Sequence, residues 1–205
     1  IGVFGKIGDI KDRDIFLSQL LNVFKNAVGK NGTIIMPTFT YSFCKNEPYD
    51  KDLSPSTVGV FTEYFRKQKA VSRTDDPIFS VAVSGKQSRF FLSGLGKDCF
   101  GKKSIFDKLY QKNGKIVFFG TLDSTFTHYI EQAAKVPYRF FKTFSGKIIN
   151  RNKIKEEKYN YFVRTLDGSA ELDISKLSNY LFRKKIMKKI KLGSGNIASI
   201  KTKAL

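Results

Sequence analysis

The chain has 205 residues, with 37 Lys and Arg against 18 Asp and Glu, a formal net charge of +19. One histidine and two distant cysteines, Cys44 and Cys99, exclude a disulfide scaffold and a catalytic transition-metal cluster. No stretch of about eighteen apolar residues marks a membrane span, and the length suits a single domain with a sizeable core in a reducing cytoplasm.

In chain order, residues 9–28 carry Ile15, Leu20, Val23, Phe24 and Ala27 near helical period, which predicts an amphipathic helix ending at Gly29. Asn31-Gly32 turns into a short buried strand, Thr33 to Met36, closed by Pro37. Ser54-Pro55 is expected to open a helix running to about Arg66, with Pro55 suited to its first turn. Phe79 to Ser84 reads as a strand, Gly85 to Leu92 and Ser104 to Gln111 as short helices. Ile116 to Phe119 is an apolar run between Gly114 and Gly120, the pattern of a strand covered on both faces. A helix follows from Ser124 or Thr125 through Ala134. Beyond Pro137, Tyr138 to Ile149 and Lys158 to Leu166 predict a hairpin around a polar loop at 150–157. Leu172 to Leu181 reads as a helix. Ile186 to Leu192 and Asn196 to Ile200 read as two last strands around Gly193-Ser194-Gly195. The alternation predicts a mixed α/β fold: a central mixed sheet, helices on both faces, and an antiparallel hairpin region near the C-terminus.

The charge admits a nucleic-acid-binding reading, but the basic residues are spread along the chain and only Arg183 to Lys191 is dense. Lysine far outnumbers arginine, with Asn, Ile and Phe also abundant, as an AT-rich genome would produce. A nucleic-acid partner is therefore not expected. The same field favours any phosphate-bearing ligand.

The only histidine, His128, falls in the first turn or so of the helix after the Ile116 strand, with Glu131 three residues on and on the same face. A neutral imidazole can take a proton from an incoming nucleophile, and a carboxylate can fix its tautomer and stabilise the imidazolium. Loop hydroxyls and free N–H groups at a helix start can hold an anion or a developing oxyanion. Against this stands the ordinary reading of a lone helical histidine as a surface or packing residue.

Six segments in order resemble the aminoglycoside 3-N-acetyltransferase family, antibiotic acetyltransferases outside the GNAT fold. They are IGVFGK (Ile1 to Lys6), GKNGTIIMPTFTYSF (Gly29 to Phe43), YDKDLSPSTVGVFTEYFRK (Tyr49 to Lys67), VSRTDDPIFSVAVSG (Val71 to Gly85), FGKKSIFDKLYQKNGKIVFFG (Phe100 to Gly120) and DSTFTHYIEQAAKVPYR (Asp123 to Arg139). The resemblance implies one acetyltransferase domain over residues 1–205, lacking the family's opening strand and Ser-containing CoA loop. It implies acetyl-CoA as co-substrate and an amino-sugar acceptor. His128 stands at the family's catalytic histidine and Glu131 at its orienting carboxylate. Asp76 stands where many members have His or Asn, and is carried as a third catalytic candidate. Gly5, Lys6, Thr38, Thr40, Ser80, Ser124, Thr125 and Thr127 are candidates for the CoA phosphates and pantetheine. Glu47, Asp50 and Asp75 are candidates for an acidic acceptor pocket, and a homodimer is compatible with the resemblance. The net charge favours an acceptor linked to a nucleotide or lipid diphosphate over a polycationic aminoglycoside. The alternatives are an inactive relative and a basic nucleic-acid-binding domain.

Overall fold

Asp12 starts the first helix by accepting the Ile15 N–H at 2.8 Å. That helix, α1 (Arg13–Val28), ends at Gly29, whose φ of 67° lets its N–H reach back to the Lys25 carbonyl. The computed structural model describes residues 8–151, 153–168 and 173–205. Leu17 and Leu21 face inward from α1, and Leu21 packs with Ile34, Met36, Phe65 and Ala82. Ile34 and Met36 belong to β1 (Thr33–Pro37), and Ala82 to β4 (Val81–Gly85), which pairs antiparallel with both β1 and β3 (Ser72–Arg73).

A second helix, α2 (Val60–Arg66), begins six residues later than Ser54-Pro55 suggests. The intervening backbone is spent on tertiary bonds. The Ser54 carbonyl accepts from Arg73, the Thr57 N–H donates to Phe39, and the Ser56 N–H donates to Glu63. A helix cannot form where its own carbonyls and N–H groups are committed elsewhere.

The two short helices fall as predicted, α3 (Ser88–Leu92) and α4 (Ile105–Gln111), the latter capped by the Ser104 hydroxyl accepting from the Asp107 N–H. The next strand, β5 (Lys115–Phe119), joins β9 (Gly195–Lys201) and β8 (Lys188–Leu192) in the order β5-β9-β8. The expectation of cover on both faces does not hold. Phe118 is buried, but Val117 on the opposite face is 43 % exposed. The helix α6 (Ile174–Arg183) packs Leu181 against Phe118, Ala198 and Ile200 on the covered face.

The hairpin is longer than its sequence suggests. β6 (Arg139–Asn150) pairs with β7 (Lys153–Arg164) from Arg139↔Arg164 to Asn150↔Lys153, so most of the expected loop at 150–157 is strand. Lys153, Ile154, Lys155 and Glu156 sit on an exposed stretch of ladder, where side-chain polarity imposes no penalty on the backbone bonds. The short β2 (Tyr49–Asp50) adds to β6 in parallel, completing a third three-stranded sheet. Its inward side chains, Ile148, Tyr159 and Tyr161, meet Tyr49, Phe79 and Phe100 in the largest core cluster. Among the described residues no helix is long and apolar enough to cross a membrane.

Candidate active site

At the end of β5 the chain leaves the sheet through Gly120, whose φ of 79° is open to glycine at little cost. The Ser124 hydroxyl accepts the Phe126 N–H at 3.2 Å, and the Ser124 carbonyl accepts from both the backbone and the hydroxyl of Thr127. These bonds close the first turn of α5 (Phe126–Ala133). Phe126, Thr127 and Glu131 are buried, which leaves His128 at the edge of the core with its side chain 27 % exposed.

His128 Nδ1 lies 2.7 Å from Glu131 Oε2 and 2.9 Å from a terminal guanidinium nitrogen of Arg139. One ring nitrogen cannot both donate to the carboxylate and accept from the guanidinium. The shorter contact is to a charged acceptor, which favours Nδ1–H donating to Glu131. That tautomer leaves the Nε2 lone pair free to act as a base. Tyr138 donates its hydroxyl to Glu131 Oε1 at 3.0 Å. Burial pushes the Glu131 carboxyl up, but the His128 hydrogen bond, the Arg139 charge and the Tyr138 hydrogen bond outweigh it, and the net shift is down. Glu131 is therefore a carboxylate at neutral pH. Phe100 and Phe79 meet the imidazole edge-on, with ring centroids 5.4 and 6.5 Å away, and Tyr41 packs on Phe79.

The other candidates are placed as follows. Thr38, Thr40 and Ser80 are buried, and their hydroxyls are committed internally: Thr38 and Ser80 to each other and to Arg73, Thr40 to the Pro77 carbonyl and Ser42. They tie the loop after β1 to the loop before β4. Ser124, Thr125 and Thr127 sit at the α5 start beside His128, although Thr127 is buried. Gly5 and Lys6 lie outside the described residues. Glu47 is exposed, Asp50 caps the turn at Asp52 and Leu53, and Asp75 is paired with Lys51 at 2.8 Å. None of these three carboxylates bonds to His128 or Glu131. Asp75 and Lys51 instead line a cleft of about 920 Å³ with Arg66, Lys67, Lys97, Arg151, Lys153 and Lys155. Among the described residues no group of three or more His, Cys, Asp and Glu is placed to hold a metal.

Asp76 shares the aromatic cluster with His128, but its Oδ1 accepts from the Ile78 and Phe79 N–H groups and from the Tyr161 hydroxyl. Burial raises its carboxyl above the usual range despite those bonds. A raised folded-state value means the folded protein holds this proton more tightly than the unfolded chain, so stability declines as pH rises above about 3.9. Asn keeps an acceptor oxygen and carries no charge. Asp76→Asn should therefore melt at or above the parent temperature at pH 7, with the gap closing toward pH 4 and turnover retained. A lower melting temperature at pH 7, or lost turnover, would contradict the turn-capping role.

Sequence reasoning missed Arg139, Tyr138, Phe79 and Phe100. Arg139 and Tyr138 lie within the VPYR segment quoted above, whose nearness in sequence to Glu131 was the available signal. Phe79 and Phe100 carried none, because an aromatic beside a histidine looks like any other core residue.

The family model for aminoglycoside 3-N-acetyltransferase matches residues 4–205. Aminoglycoside N(3)-acetyltransferase IV from Salmonella sp is 30 % identical over 124 residues, 58 % of this chain and 46 % of that protein, so the match spans less than half of its relative. AAC-IIIb in binary complex with CoASH superposes with a TM-score of 0.82 at 17 % identity, covering 98 % of this chain and 82 % of the other. A histidine-to-alanine mutant of AAC(3)-IVa in complex with apramycin gives 0.74 at 22 % identity, covering 98 % and 77 %.

Proposed function

Because the chain belongs to the aminoglycoside 3-N-acetyltransferase family, we propose that it transfers the acetyl group of acetyl-CoA to an amine of an aminoglycoside, with His128 as general base. The observation that carries this reading is the 2.7 Å contact from His128 Nδ1 to Glu131, which leaves Nε2 as the free base. A sugar ammonium carries no lone pair, so it must lose a proton before attacking a thioester. His128 takes that proton, directly or through a water, and Glu131 holds the ring and balances the imidazolium. The new N–C bond forms as the carbonyl oxygen becomes an oxyanion, to which we assign the hydroxyls of Ser124 and Thr125, in the turn just before α5, as donors. Collapse breaks the C–S bond, the imidazolium gives its proton to the leaving thiolate, and the neutral ring then takes the second proton of the acylated nitrogen and passes it to solvent. The CoA carried by the AAC-IIIb structure and the apramycin carried by the AAC(3)-IVa structure support the donor and acceptor classes.

A second acceptor reading, an amino sugar bearing a nucleotide or lipid diphosphate, is favoured by the basic cleft and the +19 charge. The two readings separate in one experiment. For an aminoglycoside, kcat/KM should exceed that for a nucleotide-linked amino sugar and should hold or rise with added salt, because screening relieves repulsion between two cations. Higher kcat/KM on the nucleotide-linked sugar, falling as salt is raised, would establish the second reading and overturn the first.

A further inference from the structure

Arg139 opens β6, eleven residues beyond His128, and its guanidinium returns to the site rather than to solvent. Its side chain is 5 % exposed and that of Glu131 8 %, so the pair is a buried ion pair. Arg139 Nε lies 3.0 Å from Glu131 Oε2, the same oxygen that meets His128. The Nε–H does not point along a hydrogen bond, so the contact acts through charge. A second nitrogen donates to the Phe162 carbonyl on β7 at 3.0 Å, and a third stands 2.9 Å from His128 Nδ1. One planar group thus ties the hairpin backbone, the carboxylate and the imidazole together.

We propose that Arg139 is the positioning residue of this site: it fixes Glu131 Oε2 against His128 Nδ1 and thereby holds the ring with Nε2 as its free nitrogen. This rests on the assignment of His128 as base. The physical case is geometric. A buried carboxylate needs a charge partner, and Arg139 supplies it to Glu131 from a fork anchored on the Phe162 carbonyl, which leaves Oε2 one place beside the ring. Among the described residues, the charged or titratable groups in contact with His128 are Glu131 on α5 and Arg139 on β6, with Tyr138 behind Glu131. The Phe79 and Phe100 rings pack edge-on against the imidazole, which stays partly exposed.

The test compares the full chain with Arg139→Met and Arg139→Lys, each checked for a cooperative melt. Arg139→Met should lower kcat about tenfold or more through lost alignment and leave KM for acetyl-CoA within about twofold. Arg139→Lys keeps the charge and loses the fork, so kcat should stay reduced. Because the chain has a single histidine, its imidazole gives one set of ¹⁵N and ring-proton signals, readable without substrate. These should report the Nδ1–H tautomer in the parent and a mixture of the two tautomers in Arg139→Met. If the parent acetylates no amino sugar, the proposed function fails, yet the imidazole signals still decide the role of Arg139. A folded Arg139→Met protein with parental imidazole signals overturns the proposal. Should Arg139→Met not fold, Arg139→Lys decides: parental kcat with parental signals overturns it.

Discussion

His128→Ala should lower kcat by about 10²-fold or more on the true acceptor while leaving the affinity for CoA within a factor of about two. The ring is the only imidazole in the chain, and on the proposed reading its Nδ1 contact to Glu131 leaves Nε2 to take the acceptor's proton. It lies at the rim of the aromatic cluster and is partly exposed, so its removal opens no closed cavity and the fold should stand. Turnover is measured by release of free thiol, and CoA affinity by the shift in melting temperature on titration. Glu131→Gln should cost less than the histidine, because the amide oxygen still accepts from Nδ1–H but no longer balances the imidazolium. Near-parental kcat for His128→Ala would remove the histidine from the mechanism and return the function to an open question.

Arg73→Met should destabilise the protein by about 3 kcal/mol or more, lowering the melting temperature by roughly 6–12 °C. Arg73 is 4 % exposed, and its donors go to the Thr38 and Ser80 hydroxyls and to the carbonyls of Thr38, Lys51 and Ser54. Three segments that diverge in sequence are thereby held at one point: the loop after β1, the turn after β2 and the loop before β4. A methionine fills similar volume but donates nothing: the part-buried Lys51 and Ser54 carbonyls lose their Arg73 donor, at about 1–3 kcal/mol each, whereas the Thr38 carbonyl keeps the Ser80 hydroxyl. Arg73→Lys supplies one charged nitrogen where the guanidinium supplies three, so less than half of the loss should be recovered. Urea denaturation gives both values. A loss under 1 kcal/mol for Arg73→Met would mean that the three segments are held by their own packing.

What the sequence determined alone is whatever depends on neighbours in the chain. Asp12, Gly29 and Ser104 mark the ends of α1 and α4 because caps act on backbone groups within a few residues. His128 and Glu131 meet for the same local reason: residues three apart on a helix share a face, and the resemblance had already marked both. Sequence also sufficed for the order of the longer helices and strands, since hydrophobic period and punctuation are local signals, but not for the two-residue strands β2 and β3, which exist only through their pairing with β6 and β4. Only the tertiary structure decided the features that depend on distant partners. The Ser54–Gly59 segment is not helix because Arg73, Phe39 and Glu63 take its hydrogen bonds. Residues 153–157 are strand because β6 supplies a ladder to residues whose polarity suggested a loop. The hydroxyls of Thr38 and Ser80, read as cofactor ligands, face a buried guanidinium instead, and no local pattern distinguishes a threonine that meets a ligand from one that meets Arg73. Arg139 reaches His128 only because the hairpin folds its first residue back onto α5. That contact ties the carboxylate beside the lone histidine to the hairpin, and it exists only once helix and sheet are packed.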